Sequence, residues 1–127
     1  MRRVLLGFLG LTLAVAGCTG PPKAVTVPPG DGEKVIQMKA SSFDFDPSVI
    51  QAHRGDRLVL LIHNTAGIRH NFTVKDPAGE ILVSKDLPAK EVVRVKVPLT
   101  QAGEYSFYCD RLLHAAFGMK GRLVVTR

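Results

Sequence analysis

The chain has 127 residues, 46% of them hydrophobic, with a formal net charge of +6 and only two cysteines. A chain of this length forms one domain with a single hydrophobic core. No run of Lys or Arg exceeds two residues, so the charge is too dispersed to indicate nucleic-acid binding, although it is compatible with an acidic protein partner.

Residues 1–17 have the layout of a secretory signal peptide. Arg2 and Arg3 provide a positive start, and residues 4–16 form an apolar stretch too short to span a bilayer. The stretch ends in Val-Ala-Gly before Cys18, a pattern that resembles the lipobox of bacterial lipoproteins. The resemblance implies a lipid on Cys18 and an extracytoplasmic, membrane-anchored protein on the periplasmic face or the cell surface. An ordinary signal peptide with an unmodified Cys18 is the alternative.

Residues 18–33 are rich in Pro and Gly, which predicts a semi-rigid tether between the lipid-bearing cysteine and a folded domain at residues 34–127. Loss of Arg2 and Arg3 with the signal leaves a net charge of +4. Cys109 is then the only thiol of the mature chain. A lone thiol in an oxidising compartment is either buried and inert or a metal ligand. A Cys18–Cys109 disulfide requires Cys18 to be free of lipid.

From Glu33 onward, short segments with a hydrophobic period of two alternate with turn signals, and no convincing helix is present. Strands are predicted over residues 35–39, 42–46, 57–64, 70–75, 81–83, 92–97, 105–109 and 121–126. This pattern predicts an all-β fold, namely an antiparallel Greek-key β-sandwich of about eight strands.

The side-chain alternation places a cysteine and a histidine on the inner face of the sandwich. Cys109 shares a strand face with Tyr105 and Phe107, while polar residues occupy the opposite face. By the same alternation, His70 lies with Phe72 on an inner face. A buried imidazole needs a hydrogen-bond partner or a metal, so both residues become candidate ligands.

Cys109, His114 and Met119 follow one another at intervals of five residues. Neither a helix nor a strand brings residues at that spacing to one point, but a loop between two strands can. With His70 from an earlier strand, the set matches trigonal His₂Cys copper with a weak axial Met, whereas zinc would require a fourth strong ligand. His63 competes with His70 for the distant position, and Met119 could instead be an ordinary core methionine.

The segment formed by residues 102–109, His114 and residues 118–125 resembles the copper loop of the cupredoxins. His70 and Asn71 resemble the family's upstream ligand and the Asn that ties its two ligand loops together. The resemblance implies one mononuclear type 1 copper, held by His70, Cys109, His114 and Met119 and supported by Asn71. Asp110 follows the cysteine where many relatives have Ser, Thr or Pro, and it is expected either to lower the potential or to pair with Arg111.

The resemblance further implies an electron-transport protein without enzymatic turnover. It would be a monomer that carries single electrons between extracytoplasmic redox proteins, such as cytochromes or a terminal oxidase. These partners would dock on the apolar residues near His114, namely Leu112, Leu113, Ala115, Ala116 and Phe117. The main alternative is an extracytoplasmic copper carrier or chaperone with the same fold. A metal-free binding sandwich is a further alternative, and a binuclear copper site is excluded because position 113 is Leu113 rather than Cys.

Overall fold

A computed structural model describes residues 23–111 and 113–127. The strands are β1 (Ala24–Thr26), β2 (Glu33–Ser41), β3 (Asp44–Asp46), β4 (Val49–His53), β5 (Arg57–Asn64), β6 (His70–Lys75), β7 (Ile81–Leu87), β8 (Val92–Pro98), β9 (Gly103–Tyr108) and β10 (Lys120–Thr126). They form a six-stranded sheet in the order β1-β4-β10-β9-β6-β7 and a four-stranded sheet in the order β3-β2-β5-β8. Within these residues no helix is long and apolar enough to cross a membrane.

The predicted β-sandwich is confirmed, but its sheets are mixed. The pairs β1/β4, β4/β10 and β2/β5 are parallel, and the remaining pairs are antiparallel. Strand β4 was not predicted from the sequence, where Pro47, two residues before it, indicates the end of a strand. The two strands that carry the strongest hydrophobic pattern, β5 and β6, have the predicted bounds.

Part of the stretch assigned to the tether is built into the six-stranded sheet. Ala24–Thr26 pair with β4, and Val27 is fully buried with its amide donating to the Gln51 carbonyl at 2.7 Å. The folded part of the chain therefore begins before residue 34. The Pro- and Gly-rich composition of residues 18–33 concealed this strand, which has only three residues.

Side-chain alternation on the strands fills the space between the two sheets. In β2, Ile36, Met38 and Ala40 are buried and the intervening residues are exposed. Phe45, Phe72 and Phe107 meet at the centre, with ring centroids 5.3–5.8 Å apart. Each fully buried Phe contributes about 1.5–3 kcal/mol relative to an exposed one, so this cluster fixes how the sheets pack.

Strand order brings distant segments to one end of the sandwich. Strands β6 and β9 are antiparallel, with Thr73 opposite Tyr108, so the start of β6 lies beside the end of β9. The start of β10 lies at the same end because it pairs with the end of β9 through Lys120 and Tyr108. The loop between β5 and β6 lies at the same end, because it leads directly into the start of β6.

Candidate metal centre

Three of the four predicted ligands meet at this end of the sandwich, which we call the ligand end. Nδ1 of His70 lies 3.2 Å from Nδ1 of His114, and Sγ of Cys109 lies 3.4 Å from the same His114 nitrogen. One donor atom from each of the three residues lies within 4.8 Å of the other two. His70 and Cys109 are fully buried, as their strand parity predicted, and His114 is half-buried.

These separations fit one small metal ion. A first-row ion bonded to nitrogen at about 2.0 Å and to sulfur at about 2.3 Å, in a trigonal plane, holds its donors about 3.5 Å apart. Burial lowers the pKa of His70, and the charges of His114 and Arg111 lower it further, so this imidazole is held in the neutral form that binds metals. Nδ1 of His70, which lies beside the other donors, is the nitrogen placed to bind a metal, while its Nε2 is buried without a hydrogen-bond partner among the described residues.

Met119 is fully buried and is tied to two of the ligands through its backbone. Its carbonyl accepts the Cys109 amide at 3.0 Å, and its amide donates to the His114 carbonyl at 3.0 Å. These two bonds bring Cys109, His114 and Met119 close together. A loop permits this at a spacing of five residues, whereas a helix or a strand does not. Coordination by the Met119 sulfur stays a prediction.

A series of tight turns forms the loop between Cys109 and Met119. The amide of Phe117 donates to the Leu113 carbonyl and that of Gly118 to the Ala115 carbonyl, each at 3.1 Å. Gly118 has a φ of +103°, a conformation open to glycine, and Leu113 has a φ of +65°. Leu112, one of the predicted docking residues, lies outside the described residues.

Asn71 contacts the thiol through its backbone, whereas its side chain turns away from the ligand loop. Its amide donates a hydrogen bond to Sγ of Cys109 at 3.3 Å. Its side-chain amide donates to Ser84 at 3.2 Å, and its carbonyl oxygen accepts from Thr73 at 2.5 Å. The side-chain tie between ligand loops, implied by the resemblance, is thus replaced by a bond to β7.

Asn64 supports the other ligand loop, which precedes His70. It is fully buried at the end of β5, and its side-chain amide donates to the carbonyls of Ile68 and Leu87, each at 2.9 Å. Its carbonyl oxygen accepts the Ala66 amide at 3.0 Å. Because Leu87 pairs with His70, these bonds fix the backbone on both sides of the first histidine ligand.

The expected pairing of Asp110 with Arg111 does not occur. Arg111 instead lies 3.6 Å from one carboxylate oxygen of Asp86, and Arg69 lies 3.6 Å from the other. Asp86 lies on β7 opposite Asn71, so it joins the residue before His70 to the loop after Cys109. These side chains are exposed, and such surface pairs are worth at most about 1 kcal/mol.

An aromatic contact that the sequence did not predict covers His114. Phe43 meets the His114 ring edge-on with centroids 4.9 Å apart, and its ring lies 5.3 Å from that of Phe117. Residues 42–46 are predicted to form a strand, but Phe43 occupies a turn with a φ of +61°. The only feature of the sequence that favours a turn at Phe43 is the preceding Ser42.

The remaining histidines stand apart from the cluster. His63 is exposed on β5 and does not join the three donors. His53 is exposed at the end of β4, beside Asp56. Of the two candidates for the distant histidine, the structure therefore brings His70 to the cluster.

The fold and the donor set define a β-sandwich protein with one mononuclear copper centre. The chain matches the family model "Cupredoxin-like domain" over residues 7–125. It is 36% identical to plastocyanin of Daucus carota over 89 residues, covering 65% of this chain and 87% of plastocyanin. The chain belongs to the cupredoxin-like family, and its cofactor is a single type 1 copper.

Two solved structures share the fold. Auracyanin A, a "blue" copper protein from Chloroflexus aurantiacus, is similar with a TM-score of 0.63 and 21% identity, covering 75% of this chain and 100% of that one. The metal-binding domain of a Cu(I)-exporting P-type ATPase from Streptococcus pneumoniae is similar with a TM-score of 0.64 and 16% identity. The match covers 85% of this chain and 100% of that domain.

Proposed function

We propose that this protein carries single electrons between extracytoplasmic redox proteins while a lipid on Cys18 tethers it to a membrane. The observation that carries the electron-transfer role is the burial of the donors in a frame of hydrogen bonds. Bound copper supplies a one-electron couple, and fast transfer requires that the ligands move little between its two states. The Asn71 amide on the sulfur and the Asn64 bonds around His70 restrain that movement.

Electrons would enter and leave through the His114 edge. Among the histidine ligands, His70 is fully buried and His114 is half-buried. Around His114 lie three exposed apolar side chains, namely Phe43, Leu113 and Phe117, which are 37%, 59% and 64% exposed. An apolar patch of this kind suits brief encounters with small interfaces, and we call it the docking patch.

A copper carrier or chaperone is the second candidate. The fold similarity to the metal-binding domain of a copper exporter gives it some support. A carrier must pass its ion to another protein, which requires donors that an incoming ligand can reach. Here the imidazole of His70 and the thiol of Cys109 are fully buried, so ligand exchange would require the loops to open.

Redox cycling and copper exchange separate the two functions. We expect the copper-loaded protein to be oxidised and reduced repeatedly without loss of its blue colour, and to keep its copper in both states against excess chelator. Visible absorption during alternating additions of ferricyanide and ascorbate, with copper analysis after gel filtration, measures both properties. Rapid transfer of Cu(I) to the chelator would contradict the electron carrier and support the copper carrier.

Replacement of the predicted axial ligand should change the potential while the metal stays bound. An amide oxygen is a harder donor than a thioether and favours Cu(II) over Cu(I), so Met119→Gln is expected to lower the reduction potential. A shift of at least about 60 mV, which is tenfold for a one-electron couple, is expected in a spectroscopic redox titration. Met38→Gln, a second buried methionine on β2, is the matched control. Equal potentials for the wild-type and Met119→Gln proteins would mean that Met119 is not the axial ligand.

A further inference from the structure

The described chain begins at the ligand end of the domain. Strand β1 is parallel to β4, and β4 is parallel to β10, so all three start at the same end. Ala24 and Arg122 both pair with Val49 and therefore lie at the same level along the strands. Arg122 is three residues from Met119, or about 10 Å at about 3.3 Å per residue. Strand β1 thus starts at the end of the sandwich that carries the metal centre.

This exit point is fixed to the sandwich. The carbonyl of Lys23 accepts the amides of Ser48 at 2.9 Å and Val49 at 3.2 Å. Its side chain bonds to the Asp46 carboxylate at 2.8 Å. Val27, fully buried after β1, holds the other end of the strand. Lys23 is therefore a fixed point of the domain rather than part of a free tether.

The sequence leaves little length between this fixed point and the predicted anchor. Five residue steps separate Cys18 from Lys23, and two of the four intervening residues are Pro21 and Pro22. A fully extended chain advances at most about 3.6 Å per residue, so the link from Cys18 to Lys23 can span no more than about 18 Å. Because strands in a sheet are about 4.8 Å apart, β1 lies only about 10 Å sideways from β10.

We propose that the anchor holds the ligand end of the domain toward the bilayer, so that the partner reached by the docking patch is a membrane-embedded redox protein. This inference rests on the proposed lipid on Cys18. A short chain that leaves from the ligand end keeps His114 near the headgroup layer, within reach of a cofactor site close to that surface. A protein that moves freely in the surrounding solution would instead meet the opposite end of the sandwich first.

The orientation can be measured with fluorescence because the chain has no Trp. The full chain, lipidated in a bacterial host, is reconstituted without copper into vesicles that carry a dansyl group on some headgroups. Phe117→Trp places the sole indole in the docking patch, and Thr100→Trp places it at the opposite end, just before β9. We expect energy transfer to the dansyl groups to be at least twofold larger from position 117. The same two proteins carrying Cys18→Ser should show no transfer.

Each outcome bears on a different part of the proposal. Equal transfer from both positions, or greater transfer from position 100, would overturn the orientation even when mass spectrometry shows the lipid on Cys18. Absence of the lipid would overturn the anchor and the orientation with it, while leaving the copper chemistry intact. Strong quenching at position 117 by lipids brominated in their acyl chains would place the docking patch inside the bilayer and contradict a protein partner.

Discussion

Substitution of Cys109 by Ser is expected to abolish the blue colour of the copper-loaded protein completely. The colour of a type 1 site requires a thiolate bound to copper, and Cys109 provides the only thiol of the donor cluster. A serine hydroxyl is a harder and much less acidic donor, so copper affinity should also fall by more than the 10–100-fold that loss of a supporting residue costs. Visible absorption and paramagnetic resonance spectra after addition of Cu(II) measure the loss.

The control for this substitution must remove a potential copper ligand from elsewhere on the domain. His63→Ala serves because His63 is exposed on β5 and lies outside the donor cluster. We expect that protein to keep the full absorption and spectrum. Circular dichroism of the copper-free Cys109→Ser protein should match the wild type, because the two side chains are almost equal in size. A blue Cys109→Ser protein would contradict the assignment of the thiolate.

The donors could be predicted from the sequence because each lies on or beside an element with a strong local signal. His70 starts β6 and Cys109 directly follows β9, and the alternation of core residues such as Phe72 and Phe107 determines which way both point. The five-residue spacing from Cys109 to His114 then predicted a loop between these two ligands. A short-range pattern was enough because successive side chains of a strand point to opposite faces of the sheet.

What escaped prediction depends on contacts between segments far apart in the chain. Phe43 covers His114 across 71 residues of sequence, and Arg111 reaches Asp86 on β7 instead of its neighbour Asp110. Strand β1 escaped for the same reason, since its pairing with β4 is not encoded in its own three residues. Such contacts are decided by which strands become neighbours, and the hydrophobic pattern of one segment carries no information about that order.

Among the described glycines, Gly121 has the least room for a side chain. It lies at the start of β10, opposite Phe107 and next to Ser48, and Arg122 beside it donates its amide to the Ser48 carbonyl at 2.9 Å. A methyl group at position 121 would collide with both the Ser48 carbonyl oxygen and the Phe107 ring. One of these is backbone and the other is a fully buried ring, so neither can move aside without shifting a strand or the aromatic core.

We therefore expect Gly121→Ala to lower the free energy of unfolding of the copper-free protein by about 3 kcal/mol, at the upper end of typical overpacking costs. For a domain of this size that corresponds to a fall in Tm of about 12–20 °C. Gly67→Ala is the matched control, because a methyl group there meets nothing within 4 Å, and it should stay within about 0.5 kcal/mol of the wild type. Urea denaturation followed by circular dichroism measures both proteins. A loss below about 1 kcal/mol for Gly121→Ala would mean that β10 can move away from Phe107, and the short spacing between Gly121 and Met119 implies that the metal centre would move with it.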